Sequence, residues 1–320
     1  MKQVCFTTFV FGNKYIEYIP LFVYSIKKAY PKSGIVIFCH SDISNEELGN
    51  IEKIGNYNDI KIINKYQSDI SLSNNKDIPY GAALRWLVWD DSFLNYQRIY
   101  IADIDIFYCK EEKNIYEQHE IHMRKIGKPF SNIIRHPKHV TYGYKEFLKD
   151  SIKVSLKYAI KKIVKSKKNQ RQLSGLHYTS VDFHKSILRS RRKYIDQLRR
   201  KTVFIHHKRG FNDEAYLYDI VSNELDISDI CQNTKNNPPS AATPTDVFFR
   251  PHHGLHLGIF RNKNNIKANT RLLNSKEYLT YYKYFIECYH KDKILIDISR
   301  NFPSGLKQEI NNMINYYEGK

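Results

Sequence analysis

The sequence predicts an α/β fold: a mostly parallel, twisted sheet flanked by helices, with a basic helical insertion and a helical C-terminus. Three observations predict it. Short apolar, β-branched runs alternate with helix-length amphipathic stretches through the first third of the chain, the pattern of consecutive βαβ units. The run from Gln97 to Cys109, QRIYIADIDIFYC, reads as a strand buried on both faces. With 320 residues, 42% of them hydrophobic, the chain can bury a substantial core.

Residues 3–11, QVCFTTFVF, form the first predicted strand, which ends at Gly12-Asn13. A helix follows from about Tyr15 to Tyr30, with Ile19, Phe22, Val23 and Ile26 on one face. The turn Pro31-Lys32-Ser33-Gly34 leads to the second strand, IVIFCH at 35–40. Ser44, with Glu47 three residues on, has the form of a capping box and starts the next helix. Asp59 to Asn64 gives a third strand. A Ser/Asn/Asp-rich loop at 68–79 then leads to a helix at about 80–91 that carries Arg85.

The fourth strand contains the chemistry. Side chains two apart on a strand point the same way, so Asp103 and Asp105 converge. A buried pair of carboxylates is costly without compensation. Hard divalent cations such as Mn²⁺ and Mg²⁺ take oxygen ligands and join carboxylates to phosphates. Doubly wound sheets bind ligands at the carboxyl ends of their strands, where this motif falls. Arg85, whose guanidinium can grip a phosphate through two parallel hydrogen bonds, lies 18 positions earlier.

The middle of the chain is basic. Residues 151–171 place Ile152, Leu156, Ala159, Ile160 and Ile163 at helical spacing with lysines on the other face. A basic amphipathic helix of this kind, over about 152–168, lies on an anionic membrane surface. In LSGLHYTSVDFHK, Gly175 permits close backbone approach, and His177, Tyr178 and Thr179 are candidates for an acceptor pocket. RSRRKYIDQLRRK reads as a solvated helix face. GFNDEAYLYDIV opens a helix with Asp213 and Glu214, which serve either as site carboxylates or as N-terminal caps. A Pro/Asn/Thr-rich connector at 231–246 precedes VFFRPHHGLHLGIFR. There His252, His253 and His256 fall within five residues, flanked by Gly254 and Gly258. Residues 271–320 are helical and aromatic. The expected organisation is a catalytic domain over 1–265, its insertion at about 145–172, and a helical segment over 266–320 that packs on it.

The segment PYGAALRWLVWDDSFLNYQRIYIADIDIFY resembles the donor-binding core of GT-A (Rossmann-like) glycosyltransferases, in which a basic helix precedes a YφDxD strand. The opening stretch FTTFVFGNKYIEYIPLFVYSIKKAYP is similar to the start of the galactosyltransferase-like family 8, with Gly12-Asn13-Lys14-Tyr15 in place of that family's usual Asp-x-Asn-Tyr. His253-Gly254-Leu255 and His256-Leu257-Gly258 both approximate the family's His-x-x-Gly element, and its Lys-Pro-Trp is absent. The resemblance implies a metal-dependent hexosyltransferase that uses a UDP-sugar donor with Mn²⁺ or Mg²⁺. It implies that Thr7, Thr8, Asn13, Tyr15, Arg85, Asp103 and Arg261 bind the donor, and that Asp103, Asp105, His256 and His253 supply metal ligands. Asp213, Glu214 and Arg85 would serve catalysis. The acceptor would be a glycan or a lipid-linked sugar of bacterial surface polysaccharide, lipopolysaccharide or capsule.

The formal net charge of +18 favours anionic partners without choosing among them. A nucleic-acid-binding protein and a sugar-phosphate nucleotidyltransferase are the alternatives. The first lacks any RNA-recognition signature, and the second wants a glycine-rich loop after the first strand that this chain does not have. Five scattered cysteines without pairing spacing point to reduced thiols, not to a zinc site or disulfide framework. The N-terminus lacks a signal-peptide pattern, and no run approaches the roughly 20 apolar residues that span a bilayer. The expected location is cytoplasmic, peripheral on the inner face of the membrane.

Overall fold

The structure, a computed structural model, describes residues 2–55, 59–70, 72, 78–132, 134–135, 172–200, 213–227, 230 and 253–319. The basic segment 152–168, the connector 231–246 and His252 lie outside the described residues.

The first strand, β1 (Lys2–Val10), is central in a six-stranded sheet. On one side it pairs in parallel with β2 (Gly34–Cys39), which pairs in parallel with β3 (Ile60–Ile63). On the other side it pairs in parallel with β4 (Tyr96–Ile101). The short β5 (Ile106–Tyr108) leaves this sheet, and β6 (Phe130–Ser131) returns to its edge. A separate ribbon joins β7 (Ile134–Arg135) to β8 (Gln172–Leu173). β9 (His177–Ser180) inserts antiparallel between β4 and β6, and β10 (Gly254–His256) runs antiparallel to β5. The sheet is thus mixed but mostly parallel, and the fold is α/β.

Strand alternation divides the core in two. Val4, Phe6, Ile35, Ile37 and Tyr100 face one layer, with Phe22, Val23 and Ile26 of the helix Ile19–Ala29 and Phe285, Leu295 and Ile310 near the C-terminus. Cys5, Phe9, Val36, Phe38, Ile99 and Ile101 face the other, with Ala83, Leu84, Leu87, Leu217 and Ile220. Both faces are covered, which explains why these strands read as continuous apolar runs. The C-terminal helices Lys276–Lys291, Lys293–Arg300 and Ser304–Glu318 join the first layer. Cys5, Cys39, Cys109 and Cys288 are buried thiols without disulfides. Among the described residues no helix is long and apolar enough to cross a membrane.

Three expectations about elements need correction. The helix predicted over 15–30 is two, Asn13–Ile16 and Ile19–Ala29. Pro20, which has no N–H to give, sits in the first turn of the second. The helix predicted over 80–91 is the helix Ile78–Leu84 tightened into a 3₁₀ turn, Arg85–Leu87, whose three side chains are all buried. Val88 then turns extended, and Asp90 caps the next short turn by accepting from the Ser92 N–H at 2.9 Å. The strand predicted over 97–109 is β4 and β5, separated by a turn that holds both acids of the DxD motif. Ser44 does cap its helix, accepting from the Glu47 N–H at 3.2 Å.

Candidate metal centre and its cavity

A cavity of about 340 Å³ opens at the carboxyl ends of β1 and β4. β1, the turn after it and the short helix Asn13–Ile16 contribute Thr8, Phe9, Phe11 and Tyr15, and the helix Ile78–Leu84 contributes Gly81 and Ala82. The opposite wall holds Arg85, Asp103, Asp105, Asp213, Glu214, His256 and Arg261.

The acids are positioned by a short ladder. In the β5–β10 ribbon His256 faces Ile106, and the Leu257 N–H donates to the Asp105 carbonyl at 2.8 Å. The Cys109 N–H closes the far end by donating to the His253 carbonyl at 3.0 Å. This register brings one ligand atom each from Asp103, Asp105 and His256 within 4.8 Å of one another. The convergence expected from strand alternation is achieved instead by a turn and a returning strand. His256 Nε2 lies 3.2 Å from Asp105 Oδ1. Gly258 makes room for this arrangement, because a Cβ there would stand 2.3 Å from Asp105 Oδ2.

Two carboxylates and an imidazole fit a hard or borderline divalent cation such as Mg²⁺ or Mn²⁺. Burial pushes the Asp105 carboxyl up, but His256 and Arg261 outweigh it and hold the group well below the usual carboxylate range. It is therefore ionised, as a ligand must be.

Two guanidiniums flank the acids. Buried Arg85 pairs through Nη1 with Asp103 and donates from Nη2 to Asp213 at 2.6 Å. Its Cζ lies 4.3 Å from the Trp86 ring centre, and Trp86 Nε1 donates to the Asp213 carbonyl at 3.2 Å. Arg261 donates from Nη2 to Asp105 at 2.7 Å and stands over the Tyr15 ring at 5.1 Å. Four carboxylates and two guanidiniums thus line the cavity, which leaves two negative charges, the deficit one divalent cation neutralises. In a chain of net charge +18 this is a local inversion of sign.

The remaining expected site residues divide. Gly175 reaches the site: its N–H donates to Glu214 at 2.9 Å, and a Cβ there would press on Arg85 and Glu214 at 3.2 Å. Thr8 and Tyr15 line the cavity, whereas Thr7 is fully buried in the sheet between Val36 and Ile101, and Asn13 is exposed outside the cavity lining. His253 is turned away. Its Nδ1 lies 2.9 Å from Glu111 and its Nε2 3.1 Å from His119, so both ring nitrogens are engaged elsewhere. Burial raises the Glu111 carboxyl, but His253, Tyr281 and Gln118 hold it down at about 2.

His177 and Tyr178 are also off the cavity, because β9 is an interior strand with both faces covered. The Tyr178 hydroxyl donates to Glu120 at 3.2 Å, and its ring stacks on His119. Asn132 Oδ1 accepts from the Ser174 N–H, its amide nitrogen donates to the Ser174 and Leu176 carbonyls at 3.0 and 3.2 Å, and His177 Nδ1 lies 3.1 Å from that nitrogen. Sequence reasoning missed the roles of Gly258, Phe11 and Trp86. The glycine was legible as the small residue of the His-x-x-Gly element, but its contact with Asp105 was not.

These histidines make a pH prediction. Burial lowers His177 to about 3 and His184 to about 4, against the usual 6.5. The unfolded chain takes up these protons as pH falls below 6.5 and the folded chain does not. Stability is therefore complete above that value and is lost on acidification. At pH 5 the expected loss is on the order of 2 kcal/mol per histidine. Urea unfolding midpoints at pH 7.5 and pH 5 test this, and an unchanged or higher midpoint at pH 5 contradicts it.

No protein-family model matches the sequence, and no curated protein matches it. Solved structures do match in chain course. Core-mannan synthase A (CmsA/Ktr4) from Aspergillus fumigatus, in its Mn/GDP form, is 11% identical over 70% of each chain, with a TM-score of 0.41. The mannosyltransferase Ktr4p from S. cerevisiae, in complex with GDP, is 12% identical over 88% of this chain and 84% of its own, with a TM-score of 0.45. The galactosyltransferase LgtC, in complex with donor and acceptor sugar analogs, is 12% identical over 68% of this chain and 70% of its own, with a TM-score of 0.39. All three are glycosyltransferases. Likeness at this level assigns no chemistry to individual residues.

Proposed function

We propose that the chain is a metal-dependent glycosyltransferase that moves a hexose from a UDP-sugar to a hydroxyl of a glycan or lipid-linked acceptor. One observation carries the reading: Asp103, Asp105 and His256 converge in a cavity that is short of two positive charges and flanked by two guanidiniums. A divalent cation offsets those two charges, and the oxygens of a diphosphate fill the coordination positions that the protein leaves open. The uridine and the galactose-like hexose rest on the resemblance of residues 1–110 to family 8, and a role in surface polysaccharide synthesis on the basic segment 152–168 and the scattered cysteines.

In this proposal Asp103, Asp105 and His256 would hold Mn²⁺ or Mg²⁺, which would supply positive charge to the departing diphosphate. Arg85 and Arg261, held in the cavity wall by the carboxylates they pair with, bind and orient the phosphate oxygens. The bond from the anomeric carbon to the β-phosphate oxygen breaks, and its electron pair leaves with the diphosphate. The acceptor oxygen forms the new bond and gives up its proton. Glu214, a cavity carboxylate steadied by the Gly175 N–H, faces the sugar and supports the developing positive charge or takes that proton.

Incubation with UDP-galactose, UDP-glucose and GDP-linked hexoses in Mn²⁺ tests the reading. Slow release of free nucleoside diphosphate from one donor, abolished by chelation, is the expected result. No release from any donor, or release indifferent to metal, contradicts it.

A further inference from the structure

The C-terminal helix Ser304–Glu318 places a buried carboxylate behind the cavity. Glu309 is 3% exposed and does not line the cavity. It accepts from the Tyr18 hydroxyl, from Arg261 Nε at 3.1 Å, and lies 3.5 Å from Lys14 Nζ. One turn further on, Asn312 Nδ2 donates to the Phe260 carbonyl at 2.9 Å, so the same helix face also ties the backbone that carries Arg261.

Arg261 is thus shared between two carboxylates. Nη2 goes to Asp105 at 2.7 Å and Nε to Glu309 at 3.1 Å, while Nη1 reaches the Tyr15 hydroxyl at 3.3 Å. A cation ligated by Asp105 competes with Arg261 for that carboxylate. A guanidinium that loses one buried partner needs another, or it leaves for water. We infer that Glu309 is a positioning residue: it keeps Arg261 in the wall when a divalent cation takes Asp105, so that Nη2 is turned to the phosphate. This rests on the glycosyltransferase reading for the phosphate, and on the Asp103/Asp105/His256 cluster for the cation.

With Glu309 neutral, Arg261 keeps Asp105 as its one carboxylate partner, and the cation must displace it unaided. Mn²⁺ alone is the probe, followed by the electron paramagnetic resonance signal of the free ion in titrations of the full chain. Glu309→Gln, which retains an acceptor for Tyr18, is expected to weaken Mn²⁺ binding about tenfold. Glu309→Asp keeps the charge and is expected to stay within about threefold of the original chain. In an Arg261→Gln background the competitor is gone, so adding Glu309→Gln should change Mn²⁺ affinity by less than about threefold.

A merely structural role would reduce affinity equally in both backgrounds. That result, or Mn²⁺ binding unchanged in Glu309→Gln, overturns the inference. If the original chain binds Mn²⁺ as described but no nucleoside diphosphate with it, the functional reading fails and the metal half of the inference stands. If it binds no Mn²⁺, both fail.

Discussion

Asp105→Asn is expected to lower divalent-cation affinity by about 100-fold or more and to abolish metal-dependent nucleotide binding. The estimate starts from the 10–100-fold cost of removing even groups that only orient a ligand. Asp105 is a ligand candidate in its own right, buried and held ionised by His256 and Arg261. Asparagine keeps the shape and gives up the charge, so the cavity loses half of the negative excess that attracts a cation. Arg261 retains Glu309 at 3.1 Å, which limits the damage to folding. Calorimetric titration of Mn²⁺ with UDP, alongside thermal unfolding, separates the two effects. A variant that binds the metal as tightly as the original chain would remove Asp105 from the site.

The second large effect belongs to Arg85. Arg85→Ala strands Asp103 and Asp213, whose side chains are 31% and 23% exposed. Removing one partner of a fully buried pair costs about 3–5 kcal/mol. Solvent reaches these two carboxylates and screens part of that, so about 3 kcal/mol is expected, including the lost contact with Trp86. Arg85→Lys keeps one charge but cannot serve both acids from a single fork, and should cost about half as much. Nucleotide binding should fall in both variants even at temperatures where they remain folded. Denaturant unfolding of the three chains decides the matter. Equal stability of Arg85→Ala and the original would mean that the paired carboxylates do not depend on Arg85.

How much of this was legible in the sequence follows from range. Alternating runs reported the buried strands, because both faces of the sheet are covered and periodicity depends only on local burial. Asp103, Asp105 and Arg85 were legible because charge inside an apolar run needs a reason. The break between β4 and β5 was not, since Ala102 and Ile104 are as apolar as the strand residues around them. Choosing between His253 and His256 required the register of β10 on β5, and a shift of residues along that ladder exchanges what faces the acids. His177 and Tyr178 do not line the cavity, and a polar pair on an interior strand looks, in sequence, like a pair on a pocket wall. Glu309 meets Tyr18 across 291 residues of chain, a separation that leaves no local trace. One signal was present: Glu309 falls with Leu306, Ile310 and Met313 on the buried stripe of its helix, where an acid requires a partner.

The central claim is that this cavity binds a nucleoside diphosphate through a divalent cation. Calorimetric titration of the full chain with UDP, first in Mn²⁺ and then in chelator, tests it most directly. The account predicts binding at least about tenfold tighter with the metal, and a smaller metal dependence for UMP, which lacks the second phosphate. UDP affinity that is the same in chelator as in Mn²⁺ would contradict it.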